Sequence, residues 1–72
     1  MNFNFRLGRL REAESDYSGA LRLNPRAATS LWGRGVIRAR RGDHTGAEQD
    51  FAEARRIDPM VEQRVTPLGL LP

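Results

Sequence analysis

The chain has 72 residues, enough for one small domain, and no cysteine, so neither a disulfide nor a thiolate metal site is open to it. Its net charge of +3 comes from twelve arginines and no lysine set against nine acids, an interleaving that dilutes any single-sign field of the kind that draws in nucleic acid. No apolar run approaches the roughly 20 residues of a membrane span, and Met1 to Leu10 lacks the apolar centre of a signal peptide, so a cytoplasmic location with no membrane contact is expected.

The first element is incomplete. Met1 to Leu7 leaves room for only half a helix, and Gly8 is read as the turn that ends it. Arg9 to Leu23 is predicted to be helical, with Leu10, Ala13, Tyr17, Ala20 and Leu21 on one face. Asn24-Pro25 then carries a start signal, because Asn caps a helix and Pro suits the first helical position, where its missing N–H has no partner anyway. A second helix is predicted from Pro25 to Arg41, its apolar stripe formed by Ala28, Leu31, Trp32, Gly35, Val36 and Ala39. Gly33 and Gly35 each weaken this helix by roughly 1 kcal/mol relative to Ala, so their presence implies close approach of a neighbouring element.

Gly42 is placed to end that helix and Asp43 to cap the next. The third helix is predicted from His44 to Arg56, burying Ala47, Phe51, Ala54 and Ile57 and leaving Glu48, Gln49, Glu53, Arg55 and Arg56 largely in water. Asp58-Pro59 repeats the start signal, but Thr66-Pro67 and Gly69 limit the last helix to about Pro59 to Val65. The apolar tail from Leu68 to Pro72 is expected to be disordered or loosely docked.

These elements recur at one fixed offset along the chain. Gly8 returns as Gly42, Ala13 as Ala47, Asp16 as Asp50, Ala20 as Ala54 and Pro25 as Pro59. Tyr17 and Phe51, Leu23 and Ile57, and Asn24 and Asp58 are conservative pairs at the same offset. A fixed period of this size marks a solenoid, whose units bury their apolar faces against one another. The expected organisation is a repeat region over residues 1–59 (a partial unit over 1–25, a full unit over 26–59), a short capping helix over 60–65 and a tail over 66–72. Solenoids of this kind generally need about three units, so the chain is expected either to derive from a longer array or to gain surface by self-association.

The joint spacing resembles the tetratricopeptide repeat family. Gly35, the Gly42-Asp43 turn, Ala47, Phe51, Ala54 and Asp58-Pro59 match its pattern, and Gly8, Ala13, Tyr17, Ala20, Asn24 and Pro25 match it in the preceding half unit. Leu31 stands where the family often has Trp, Arg34 where Leu is common and Arg38 where Tyr is common. A Sel1-type repeat fits less well, because the period is kept without insertion. The resemblance implies an all-α fold of helix-turn-helix hairpins stacked as a short right-handed α-solenoid. It also implies that first helices line a groove for an extended peptide, which makes Thr29, Trp32, Val36, Ala39 and Arg40 the candidate partner-binding residues. The carboxylate clamp of Lys, Arg and Asn found in some members is not expected, since the corresponding helix has neither Lys nor Asn.

Other chemistry is weaker. Trp32 is expected to be partly exposed and to act either as a groove anchor or as packing. Arg34, Arg38, Arg40 and Arg41 form a basic cluster suited to an acidic peptide or to phosphates, or to the C-terminal dipole of their own helix. His44 beside Asp43 points a different way from it at a helix start, and Ser15, Ser18 and Ser30 lack a nucleophile's surroundings, so no catalytic residue is expected. Gly33-Arg34-Gly35 lacks the strand and glycine spacing of a phosphate loop, and the acids lack calcium-loop spacing, so neither cofactor nor metal is expected. The expected function is a non-enzymatic protein–protein interaction module whose partner is another protein or a peptide, with homo-oligomerisation open and nucleic acid disfavoured. The alternatives are a truncated array without independent function, and an arginine-mediated binder of nucleic acid or an anionic surface.

Overall fold

The computed structural model describes residues 3–65 of the chain. The residues expected to form the tail, 66–72, lie outside the described part. Four helices follow one another: α1 (Phe3–Leu23), α2 (Ala28–Arg40), α3 (His44–Ile57) and α4 (Val61–Val65). The described residues contain no strand, so the fold is all-α. α2 lies at the centre and packs against each of the other three.

The central position of α2 follows from its side chains. Leu31, Trp32, Val36 and Ile37 are buried and so are Gly33 and Gly35, which leaves apolar or backbone surface on nearly every side. A helix apolar over so much of its circumference has to be enclosed by other elements. Leu21 from α1, Ala47, Phe51 and Ala54 from α3, and Val61 and Val65 from α4 supply the enclosure. The Trp32 and Phe51 rings meet at a centroid distance of 4.5 Å with 42° between their planes. The two glycines set how closely the helices approach. A methyl group on Gly33 would lie 2.5 Å from the Tyr17 ring of α1, and one on Gly35 would lie 2.6 Å from the Phe51 ring and 3.2 Å from the Ala47 carbonyl of α3.

The connections use local hydrogen bonds. Gly42 takes φ +93°, Asp43 N–H donates to Arg38 O (2.8 Å) and Gly42 N–H to Ala39 O (3.1 Å), which together close α2 with a Schellman turn. Asp43 then caps α3 by accepting from Gly46 N–H at 3.0 Å. Asn24 and Asp58 do not cap the following helices as expected. Asn24 Oδ1 accepts from Arg26 N–H (3.2 Å), and Asp58 Oδ1 from Met60 N–H (3.0 Å), so each closes a short turn of its own. Consequently Pro25 lies in the turn, Ala27 is the residue before α2, without a side-chain cap bond, and the helix starts at Ala28.

The expected break at Gly8 is also corrected, since α1 runs through it without interruption. The equivalent Gly42 is followed by Asp43, which caps a new helix, whereas Gly8 is followed by Arg9, whose side chain offers no acceptor. No packing contact forces a turn there either: a methyl group on Gly8 would meet nothing within 4 Å. At the other end α4 restarts the pattern. Val61 and Val65 stand one period after Ala27 and Leu31, and both valines are fully buried.

Candidate functional site

The five residues expected to contact a partner divide sharply in the structure. Thr29 and Arg40, near the two ends of α2, are exposed, and Ala39 is half-buried. Trp32 has 0% of its surface exposed and Val36 1%. The partial exposure expected for Trp32 is therefore corrected: its indole fills the space between α2 and the Phe51 ring, and the Arg55 guanidinium covers it 4.9 Å from the ring centroid. Neither Trp32 nor Val36 reaches the surface of this structure.

The basic cluster proves to be mostly internal scaffolding. Arg34 Nε and Nη2 donate to the two carboxylate oxygens of Asp50 at 2.9 Å each, and its Nη1 reaches Ser18 Oγ at 3.3 Å. Arg38 donates to Glu14 at 2.8 Å and pairs with Asp50 at 3.3 Å. Arg41 donates to Glu14 at 2.9 and 3.2 Å and lies 3.5 Å from Asp43. These three side chains, one and nearly two turns apart along α2, tie it to α1 on one side and to α3 on the other. Arg34, Arg38 and Arg41 are each 20–28% exposed in the side chain and Asp50 only 5%, so the pairs are partly desolvated and loss of one partner leaves the other charge uncompensated. The hydrogen bonds that Arg34 donates to Asp50 raise the pKa of Arg34 despite its burial. Arg40 alone of the cluster makes no ion pair with a described residue, and it points to solvent.

The network shows why Arg34 and Arg38 stand where the repeat pattern commonly has Leu and Tyr. They exchange apolar packing for bonds to one buried acid, a geometry for which the guanidinium is suited and lysine is not. The sequence carried a signal for this that spacing alone did not use: Asp50, on a stripe with Ala47 and Ala54, is an acid on an apolar face, and a buried acid needs a cation. Arg34 and Arg38 are one helical turn apart on the preceding helix. Exposed pairs complete the picture: Arg55 lies 3.4 Å from Glu62, Arg64 reaches Asp58, and Arg56 pairs with Glu53 one turn away.

Helix hairpins joined by short turns, repeated at a fixed period and packed through close glycine approaches, define a helical repeat protein. The chain belongs to the tetratricopeptide repeat family, whose model matches residues 5–60. It is similar to cellulose synthase operon protein C of Komagataeibacter xylinus and of Komagataeibacter sucrofermentans, each 40% identical over 60 residues. Those residues are 83% of this chain but 4% of the length of either relative. No solved structure matches the chain significantly. The family fold is a non-catalytic one that generally serves protein–protein interaction. No described helix is long and apolar enough to cross a membrane.

Proposed function

We propose that this chain is a protein-interaction module that receives a partner polypeptide, with Thr29 and Arg40 the part of α2 open to contact. The observation that carries this reading is the occupation of the arginine cluster. Arg34, Arg38 and Arg41 are bonded to Glu14, Ser18, Asp50 and Asp43, which leaves Arg40 as a single outward charge on that helix. A single guanidinium suits selection of an acidic side chain in a peptide. Nucleic-acid binding draws on several phosphate contacts at once, and its affinity falls steeply with salt.

The test displays a library of acidic peptides to the chain and compares it with a single-stranded oligonucleotide of random sequence. Related peptides retained at physiological salt and lost in Arg40→Glu agree with the reading. Binding of the nucleic acid that persists in Arg40→Glu and vanishes with added salt overturns it. The similarity to cellulose synthase operon proteins makes other products of such operons the first natural partners to try.

A further inference from the structure

Charges that alternate along the sequence do not alternate in space. From Arg34 to Arg41 of α2 the partners on α1 run backwards, from Ser18 to Glu14, and Arg55 near the end of α3 returns to Trp32 near the start of α2. Consecutive helices are therefore antiparallel, and the turns over residues 24–27 and 58–60 lie at one end of the bundle. Arg22, Arg26, Arg55, Arg56 and Arg64 gather at that end against Glu53, Asp58 and Glu62. Each acid there is taken by an arginine: Glu53 by Arg56, Asp58 by Arg64, and Glu62 by Arg55 at 3.4 Å. Arg22 and Arg26 are exposed, and neither forms an ion pair with a described residue. The two turns are close enough to share a field. The hydrogen bonds and charge of Arg56 hold the Glu53 carboxyl below its ordinary value, against the opposing effect of burial, and the Arg26 charge adds to this. Both Glu53 oxygens are nonetheless occupied by Arg56, so Arg26 keeps its donors.

We propose that Arg22 and Arg26, at the α1–α2 turn, form a contact site for an acidic segment of a partner polypeptide, one with two carboxylates close together in its sequence. The openness of the two positions is a property of the repeat rather than of its first unit. Arg56, one period after Arg22, has α2 packed before it and its side chain is still 63% exposed. Met60, one period after Arg26, is 52% exposed. Two free guanidinium groups match two carboxylates, each able to take a pair of N–H donors. A run of nucleic-acid phosphates fits this end poorly, because Glu53, Asp58 and Glu62 lie beside the free arginines and three of the five guanidinium groups are already engaged. Exposed pairs are weak one by one, so the site contributes choice of partner and speed of encounter more than affinity. It lies at the opposite end of α2 from Arg40 and goes beyond the contact assigned to that residue, so the two stand or fall separately.

The probe is a short synthetic peptide with two glutamates separated by one serine, titrated into the full chain and followed by nuclear magnetic resonance of the backbone amides and the arginine Nε–H groups. A peptide with glutamine in both places is the control. The signals of Arg22 and Arg26 should move most and saturate with a dissociation constant of about 1 mM or below, while the glutamine peptide leaves them in place. Arg22→Gln with Arg26→Gln should weaken binding about fivefold or more, and Arg40→Glu should not change it. Circular dichroism of the double variant should match the wild type, since both residues are exposed. Three results overturn the proposal: no saturable shift at Arg22 and Arg26, binding that survives the double variant, or displacement of the peptide from these residues by a single-stranded oligonucleotide that binds more tightly at physiological salt. Shifts confined to Thr29 and Arg40 and lost in Arg40→Glu overturn it too, while upholding the contact assigned to Arg40.

Discussion

Arg34 holds Asp50 through two parallel hydrogen bonds of 2.9 Å, joining α2 to α3. Arg38 adds a contact at 3.3 Å to the same carboxylate while bonding Glu14 of α1 at 2.8 Å. A buried acid between two helices is thereby neutralised by the helix at the centre, and that helix is stitched to both neighbours by one continuous chain of ions.

Asp50→Asn leaves Arg34 and Arg38 half-buried without their anion. Removal of one partner from such a pair is expected to destabilise the fold by about 2–4 kcal/mol, less than the full effect of a completely buried pair. The equivalent Asp16→Asn should change stability by less than about 0.5 kcal/mol, because Asp16 is exposed. Thermal unfolding of the two variants, followed by circular dichroism, gives the comparison; equal melting temperatures would contradict the role assigned to Asp50.

The glycines separate by what a methyl group would touch. Ala is intrinsically the better helix former by roughly 1 kcal/mol, so Gly8→Ala, which meets open space, should raise the melting temperature. Gly35→Ala drives a methyl group against the Phe51 ring and the Ala47 carbonyl, and backbone cannot turn aside as a side chain can. It should therefore lose about 1–3 kcal/mol. Denaturant midpoints moving in the same direction for both variants would refute this account of the α2–α3 approach.

Trp32→Ala removes the largest fully buried side chain. The cavity and the lost burial together should destabilise by about 3–5 kcal/mol, a large share of what a small domain possesses. Helicity at physiological temperature is expected to collapse in this variant, whereas Arg40→Glu should keep it. A well-folded Trp32→Ala chain would mean that the indole is not the centre of the core.

Glu14 provides the acid sensitivity. Burial raises its pKa, but the hydrogen bonds and charges of Arg38 and Arg41 more than offset this and hold it below the ordinary value of 4.5. A carboxylate depressed in the fold contributes stability that is complete above its unfolded value and is lost as pH falls through its lower folded value. The melting temperature of the wild type should thus decline below about pH 4.5. Glu14→Gln should start lower at neutral pH and decline less over the same window, and parallel curves would argue against the Glu14 link.

Much of this architecture was legible in the order of residues, because helix period, turn chemistry and repeat period are local properties. The Ala47, Phe51, Ala54 stripe, the Gly42-Asp43 junction and the closeness implied by Gly33 and Gly35 each follow from spacing and from what glycine and aspartate permit. Partner identity in space is not local. The sequence contains four arginines near one another at α2, and nothing in their spacing says that three turn inward to Glu14 and Asp50 and one turns out. Likewise Trp32 lies on a stripe that suits either core or groove, and only the arrival of α1, α3 and α4 around α2 encloses it. Sequence alone determined that this chain forms repeated helical hairpins of the tetratricopeptide type. Tertiary packing decided which faces of like composition are filled and which stay open, since burial depends on whether a neighbouring helix is present to cover them: Asp50 has α2 against it, and Asp16, one period earlier, does not.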